Sequence, residues 1–260
     1  MLGVKHNEPI EYNVIDSNIL FVDFAPSDND INYLMSMGNN IYILDHHISA
    51  KDRLENCTFA NFSMNKSGVG LAWEYFFPNN PMPLHLEMIQ DRDLWQFKIK
   101  KTKDFTKGLS FMIDSMNTIN EQLKLLDDFI SNDLTTDQKT SENVIVIGHI
   151  LNLNQNMKIK KIVDKISEHS HMFRNLTVCS YNCEWEIISE LGDALTSKYC
   201  DLAVLWSYDH ITSKYSYSLR STNKVNCAKL AEELINSSGH LNSAGGTSLL
   251  HPDIIFKNLS

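Results

Sequence analysis

The sequence predicts an α/β protein: a parallel-sheet domain, then connecting helices, then a smaller α/β domain. Three observations carry this. Two short apolar runs, at 19–22 and 41–44, flank a helix-length segment and each stops at an acid. From about Thr102 to 170 the apolar positions recur every three or four residues. Near Leu176 a second series of β-rich runs begins, interleaved with helical ones. Apolar runs of four to eight residues read as buried strands, and three-to-four spacing reads as helix. The expected boundaries are 1–118, 119–171 and 172–260.

Taken in order, residues 1–18 carry Pro9 and polar residues and are expected to be irregular. A strand follows over 19–23. Ser27 to Asp30 can cap a helix over 29–37, because short polar side chains accept from the orphan amides of a first turn. Gly38-Asn39-Asn40 ends it with residues that tolerate positive φ. A strand over 41–44 then leads into a loop that opens Asp45-His46-His47. Strand, helix and strand in this order imply parallel pairing through a right-handed crossover. Ser67 is the expected cap of a helix over 68–76, stopped by Pro78 and Pro81, with Trp73, Tyr75, Phe76 and Phe77 read as core.

An amphipathic segment covers 84–90, and helices are expected over 119–130 and 144–170, separated by a polar, turn-rich stretch at 131–142. The lysines between 158 and 165 read as a solvated helix face. His149, His169 and His171 read as structural or surface residues. In the last domain, strands are expected over 177–180, 202–206 and 215–219, with helices over 186–197 and 226–236. The segment Ser238-Gly239-His240-Leu241-Asn242-Ser243-Ala244-Gly245-Gly246 reads as a Gly-rich loop.

The chain has 260 residues, 43% of them hydrophobic and 21% charged, with a formal net charge of −9. That length supports substantial cores. The acidic balance argues against sequence-independent duplex binding, which relies on basic surface to displace counterions. No membrane span or signal peptide is read, so a cytoplasmic location is the expectation. Five scattered cysteines do not form a disulfide framework, and Cys179 and Cys183 read as small buried hydrophobes rather than zinc ligands.

Ligands in open α/β sheets bind outside the carboxyl ends of strands. Asp23 ends the first strand and Asp45-His46-His47 the second, while Gln90-Asp91-Arg92-Asp93-Leu94-Trp95 forms a third polar cluster. Carboxylates and imidazoles suit Mn²⁺ or Mg²⁺, and histidine tilts the choice away from Mg²⁺. Glycines in the 238–246 segment let backbone amides approach an anion, and Arg220, at the end of an earlier strand, would complete a substrate clamp.

These stretches resemble the DHH phosphoesterases. Val22-Asp23-Phe24 looks like the second motif of that family, and Asp45-His46-His47 like the third. Ser67-Gly68-Val69-Gly70 and its helix, with Asp91-Arg92-Asp93-Leu94-Trp95, resemble the fourth-motif region of one bacterial and viral branch. Ser218-Leu219-Arg220-Ser221 and the 238–246 segment resemble the substrate-binding DHHA1 domain. The resemblance implies a DHH domain joined by helices to a DHHA1 domain, with the active cleft between them.

Its implied activity is metal-dependent hydrolysis of short nucleic-acid-derived phosphodiesters, oligonucleotides or cyclic dinucleotides, with Mn²⁺ as cofactor and Mg²⁺ as second option. Asp23, His46 and Asp91 would be metal ligands, with Asp93 able to exchange roles with Asp91. Asp45 would orient the His46 ring, and His47 would contact the scissile phosphate. Arg220, Gly239, His240 and Asn242 would hold the substrate. Duplex DNA and membranes are not expected partners, and a homodimer is left open. Two departures accompany the resemblance. The family's first motif, a His and two Asp on a strand, has no counterpart among the 22 residues preceding Asp23, so the DHH sheet is expected to lack its first strand. Ser237-Ser238 and Leu241 stand where the family has glycines and an arginine. The alternative reading is a non-catalytic relative that binds nucleotide or serves as an interaction domain.

Overall fold

The computed structural model describes residues 14–133, 139–166 and 170–257, so the expectations for residues before 14, for 134–138 and for His169 lie outside it. The chain divides into two compact units, Met1–Met82 and Pro83–Ser260. It is an α/β protein with one parallel and one mixed sheet.

The first unit runs β1 (Asn18–Val22), α1 (Asp28–Ser36), β2 (Asn40–Asp45), α2 (Ile48–Leu54), β3 (Ala60–Phe62) and α3 (Gly68–Phe76). The strands form a parallel sheet in the order β1-β2-β3, with Val22 opposite Leu44 and Asp45 opposite Phe62. Phe21, Ile41 and Ile43 bury against Ile31 and Leu34 of α1 and Leu54 of α2. Ser27 caps α1 by accepting from the Asp30 amide at 3.2 Å. The turn into β2 is fixed by buried Asn39. Its amide donates to the carbonyls of Val14 (2.8 Å) and Leu34 (2.9 Å), and its oxygen accepts from the Ser17 amide at 3.0 Å. Gly38 beside it sits at φ +80°, as a helix-terminating glycine should.

Asp45 closes β2, His46 and His47 form the expected short loop, and α2 follows at once. One expectation fails here. The α3 aromatics are not core: Tyr75, Phe76 and Phe77 are exposed, while Gly68, Gly70 and Leu71 are buried. The helix meets β1 and β2, and it buries its small residues rather than its large ones.

In the second unit, α4 (Leu84–Asp93), α5 (Thr102–Asp114), α6 (Ile119–Asp133) and α7 (Lys139–Ile166) enclose a core of Met88, Phe105, Leu109, Leu125 and Val144. The residue-118 boundary therefore falls within this helical group. Beyond it come β4 (His171–Phe173), β5 (Leu176–Asn182), a 3-10 turn at Trp185–Ile187, α8 (Ile188–Thr196), β6 (Leu202–Asp209) and β7 (Lys214–Arg220). The unit ends with α9 (Cys227–Ile235), β8 (Ser238–Gly239), β9 (Ser243–Ser248) and α10 (Pro252–Phe256). The sheet order is β4-β5-β6-β7-β9-β8, with only β5 and β6 parallel. One face carries α9 and α10 over Val178, Val204 and Leu219. The other carries α7 and α8 over Cys179, Ala203 and Leu205. On α7, Ile159, Val163 and Ile166 are buried and lysines 158, 160, 161 and 165 are exposed. The segment expected as a Gly-rich loop is instead the β8–β9 hairpin. All five cysteines are free thiols.

Candidate metal centre

The carboxyl ends of β1 and β2 lie side by side because the strands are parallel and in register. The ladder continues one residue past β1, where the Asp23 amide donates to the Leu44 carbonyl at 2.8 Å. Asp23 then turns sharply, at φ +59°, a left-handed conformation uncommon for a residue with a Cβ. That bend brings its carboxylate 3.0 Å from Nε2 of His46, with the imidazole buried and the carboxylate half-exposed. Non-glycine residues held in this region cluster at ligand-binding sites, where surrounding structure must stabilise them.

The first turn of α3 closes the other side. A Cβ on Gly68 would stand 2.4 Å from the Asp23 Cβ and 2.7 Å from its Cγ. No side chain larger than hydrogen fits between helix and carboxylate. The Ser67-Gly68 signal in the sequence therefore reflects a close approach at the site itself.

Asp45, 1% exposed, organises the second strand end. One carboxylate oxygen accepts from the amides of His46 (2.7 Å) and His47 (3.3 Å) and contacts Nδ1 of the His47 ring at 2.6 Å. The sequence reading paired Asp45 with the His46 ring. The structure pairs it with His47, because the backbone folds over the Asp45 side chain as it leaves the strand. Burial alone would raise the Asp45 pKa. The hydrogen bond and charge of His47, with the two backbone amides, outweigh it and hold the carboxyl below its ordinary value. A carboxylate on Nδ1 fixes the ring's orientation and leaves Nε2 as its basic nitrogen, the usual arrangement behind a metal- or substrate-facing imidazole.

Asp23, Asp45 and His47 each offer a ligand atom within 4.8 Å of the others. Two ligands on one cation, at about 2.0–2.6 Å each, stand at most roughly 5 Å apart. The donor set of this unit, carboxylate oxygens with imidazole nitrogens, therefore fits a divalent ion of the Mn²⁺ type.

The second unit treats its expected residues unevenly. Asp91 is buried on α4, and its carboxylate accepts from the amides of Lys98 (2.8 Å) and Ile99 (3.0 Å) and from the Thr102 hydroxyl (2.5 Å). Instead of standing as an open ligand, it ties the 94–101 loop to the start of α5. Asp93, two positions on, is exposed. Asn242 has both ends of its amide engaged with Asn223, accepting from the backbone amide at 2.9 Å and donating to the side-chain oxygen at 2.8 Å. It shapes the β7–α9 turn. Gly239 has a backbone reason for being glycine, since a Cβ would stand 2.6 Å from the Ala244 Cα across the hairpin. The half-buried His240 donates its amide to Ser243 O at 2.7 Å. Arg220, at the end of β7, donates to Leu219 O (2.9 Å) and Ser189 Oγ (3.3 Å). Burial pulls its pKa down. Sequence reasoning missed the Gly68 contact and the His47–Asp45 pair.

No family model matches the chain. An uncharacterized protein, R106, of Acanthamoeba polyphaga mimivirus is 28% identical over 235 residues, covering 88% of this chain and 53% of that protein. The chain thus spans about half the length of this curated relative. Among solved structures, an exonuclease RecJ bound to manganese is similar at 15% identity, covering 92% of this chain and 72% of that chain with a TM-score of 0.45. The pGpG-specific phosphodiesterase PggH of Vibrio cholerae is similar at 12% identity, covering 82% and 75% with a TM-score of 0.42.

Proposed function

We propose that this chain is a divalent-metal-dependent phosphoesterase acting on short nucleic-acid-derived phosphodiesters, with Asp23 and His46 as metal ligands. The observation that carries the reading is the Asp23 carboxylate, held at positive φ, 3.0 Å from Nε2 of His46 at the carboxyl ends of two parallel strands. Mn²⁺ is favoured over Mg²⁺ because half of the donors are imidazoles. When bound, such an ion supplies Lewis-acid charge and a nucleophile at neutral pH. Asp45 keeps the His47 ring oriented, and His47 offers its remaining nitrogen to a phosphoryl oxygen. On α4, Asp91 already accepts three hydrogen bonds within its own unit and holds structure there rather than standing as an open ligand. Arg220 and His240 remain the substrate-contact candidates of the second unit.

The test is hydrolysis of a 5′-phosphorylated dinucleotide with Mn²⁺ by wild type and Asp23→Ala. Turnover should fall about 100-fold or more in the variant, and chelation should abolish it. Equal turnover with and without Asp23 would sink the assignment. Mn²⁺ binding without any cleavage would favour the non-catalytic, nucleotide-binding alternative.

A further inference from the structure

Helix α7 carries apolar residues on two opposite sides. Its inward side buries Val144, Gln155, Ile159, Val163 and Ile166 within the second unit. At 3.6 residues per turn, Val146, Ile150, Leu153 and Met157 fall together on the outward side. They are between 52% and 62% exposed. The outward face of a soluble helix ordinarily carries charged and polar residues. A single exposed apolar residue needs no explanation. Four in one row, over about 16 Å at 1.5 Å per residue, make a contiguous patch of the kind that marks an interaction site.

The spacing of the row points to what covers it. Its steps are four, three and four residues, the alternation that keeps apolar side chains in one seam between two packed helices. The steps read the same in both directions. A two-fold axis crossing the helix midway between Leu151 and Asn152 therefore sets Val146 against Met157 of a second copy, and Ile150 against Leu153. Each pairing then occurs twice, which is the self-complementarity an isologous interface requires.

Charge gives the direction. Glu142 precedes the row, and Lys158, Lys160, Lys161 and Lys165 follow it with Asp164 among them, all exposed. A parallel, in-register pair would set the two lysine-rich ends side by side. An antiparallel pair sets each against the glutamate end of the other. Glu142 and Lys160 are 18 residues apart, five full turns, so they lie on the same flank of the row. The same two-fold axis brings Glu142 within about one residue's rise of Lys160 in the second copy. Neither side chain pairs with a charge of its own chain among the described residues. Opposite charges flanking an apolar seam set partner choice and orientation. A net charge of −9 disfavours an anionic lipid surface as the alternative cover.

We propose that α7 pairs antiparallel with α7 of a second copy of this chain, through Val146, Ile150, Leu153 and Met157, with Glu142 beside Lys160 of the partner subunit. The seam is short and falls below the roughly 1,200 Å² at which standard-size interfaces begin, so the dimer is reversible, with a dissociation constant on the order of 10 µM. The pairing needs neither metal nor substrate, and it stands apart from the phosphoesterase reading.

The test is sedimentation equilibrium of the full chain from about 1 to about 300 µM, a range that brackets this constant. Wild type should pass from monomer to dimer. Ile150→Glu, at an exposed position of the single chain, should keep its circular dichroism and weaken dimerisation at least about 100-fold, because each copy would then bury a charge in the apolar seam. Glu142→Lys and Lys160→Glu should each weaken it about 5-fold or more, and the two together should restore it. Wild type that stays monomeric throughout would overturn the proposal, as would a dimer indifferent to Ile150→Glu. A dimer that the double exchange does not rescue would overturn the antiparallel pairing. A monomer that binds phosphatidylserine vesicles, and loses them with Ile150→Glu, would assign this face to lipid and overturn the self-pairing.

Discussion

Replacing Gly68 by alanine adds a single methyl group at the contact that defines the metal centre. The new Cβ would stand 2.4 Å from the Asp23 Cβ and 2.8 Å from its Oδ1, whereas ordinary contact begins at 3.4 Å. Asp23 or the start of α3 must then yield by about 1 Å, the difference between 3.4 and 2.4 Å. Asp23 has little freedom to do so. Its φ is already +59°, and its amide is bound to Leu44 O. A displacement of about 1 Å at a reacting or ligating group costs on the order of 100-fold, so Mn²⁺ affinity should fall by about 10- to 100-fold. Stability should change less. Overpacking costs about 1–3 kcal/mol, and the gain in helix propensity from Gly to Ala returns up to about 1 kcal/mol. The net expectation is about 0–2 kcal/mol of destabilisation. Calorimetric Mn²⁺ titration of Gly68→Ala, beside urea denaturation, reads both quantities. Wild-type Mn²⁺ affinity in a folded Gly68→Ala protein would refute the reasoning, because the helix would then have no bearing on Asp23.

Further expectations follow from other contacts. Asn39→Ala removes two donated hydrogen bonds and one accepted one at a buried turn, and should cost about 2–4 kcal/mol in urea denaturation. For Asp91, burial opposes ionisation, but hydrogen bonds from Thr102, Ile99 and Lys98 outweigh it and lower the pKa. A carboxyl with a depressed folded pKa contributes stability above its unfolded value, near 4, and loses it as pH falls through the folded value. The stability gap between wild type and Asp91→Asn should therefore be full at pH 7 and shrink below about pH 4. A gap that does not change with pH would contradict that assignment. Asp45→Asn should release the His47 ring from its 2.6 Å carboxylate contact, and nuclear magnetic resonance should show loss of the single Nδ1-protonated tautomer; an unchanged tautomer would contradict the pairing.

The sequence revealed β1 and β2 because short apolar runs of Ile, Leu, Phe, Val and Tyr bounded by polar residues mark strands. It also placed Asp23 and Asp45-His46-His47 at their carboxyl ends. Strand β9 stayed hidden, since Ser-Ala-Gly-Gly-Thr-Ser lacks the bulky residues that signal a strand. It nevertheless pairs with β7 along six residues, and its Gly245 packs closely on Tyr217 O. Strands β3 and β4, three residues each, are too short for periodicity to register. Which of Asp91 and Asp93 faces inward depends on the rotation of α4, whose mixed sequence does not fix that angle. The pairing of Asp45 with His47 depends on how the chain leaves the strand, a matter of backbone direction rather than pattern. The α3 aromatics misled because large apolar residues usually bury, whereas this helix buries Gly68 and Gly70 to bring its first turn against Asp23.

The central claim is that Asp23 and His46 hold a divalent cation. Isothermal calorimetry with Mn²⁺ on the purified chain, with Asp23→Asn and His46→Gln as controls, tests it most directly. The account predicts saturable Mn²⁺ binding by wild type that weakens at least about 10-fold in each control. Equal binding by all three proteins, or none by wild type, would contradict it.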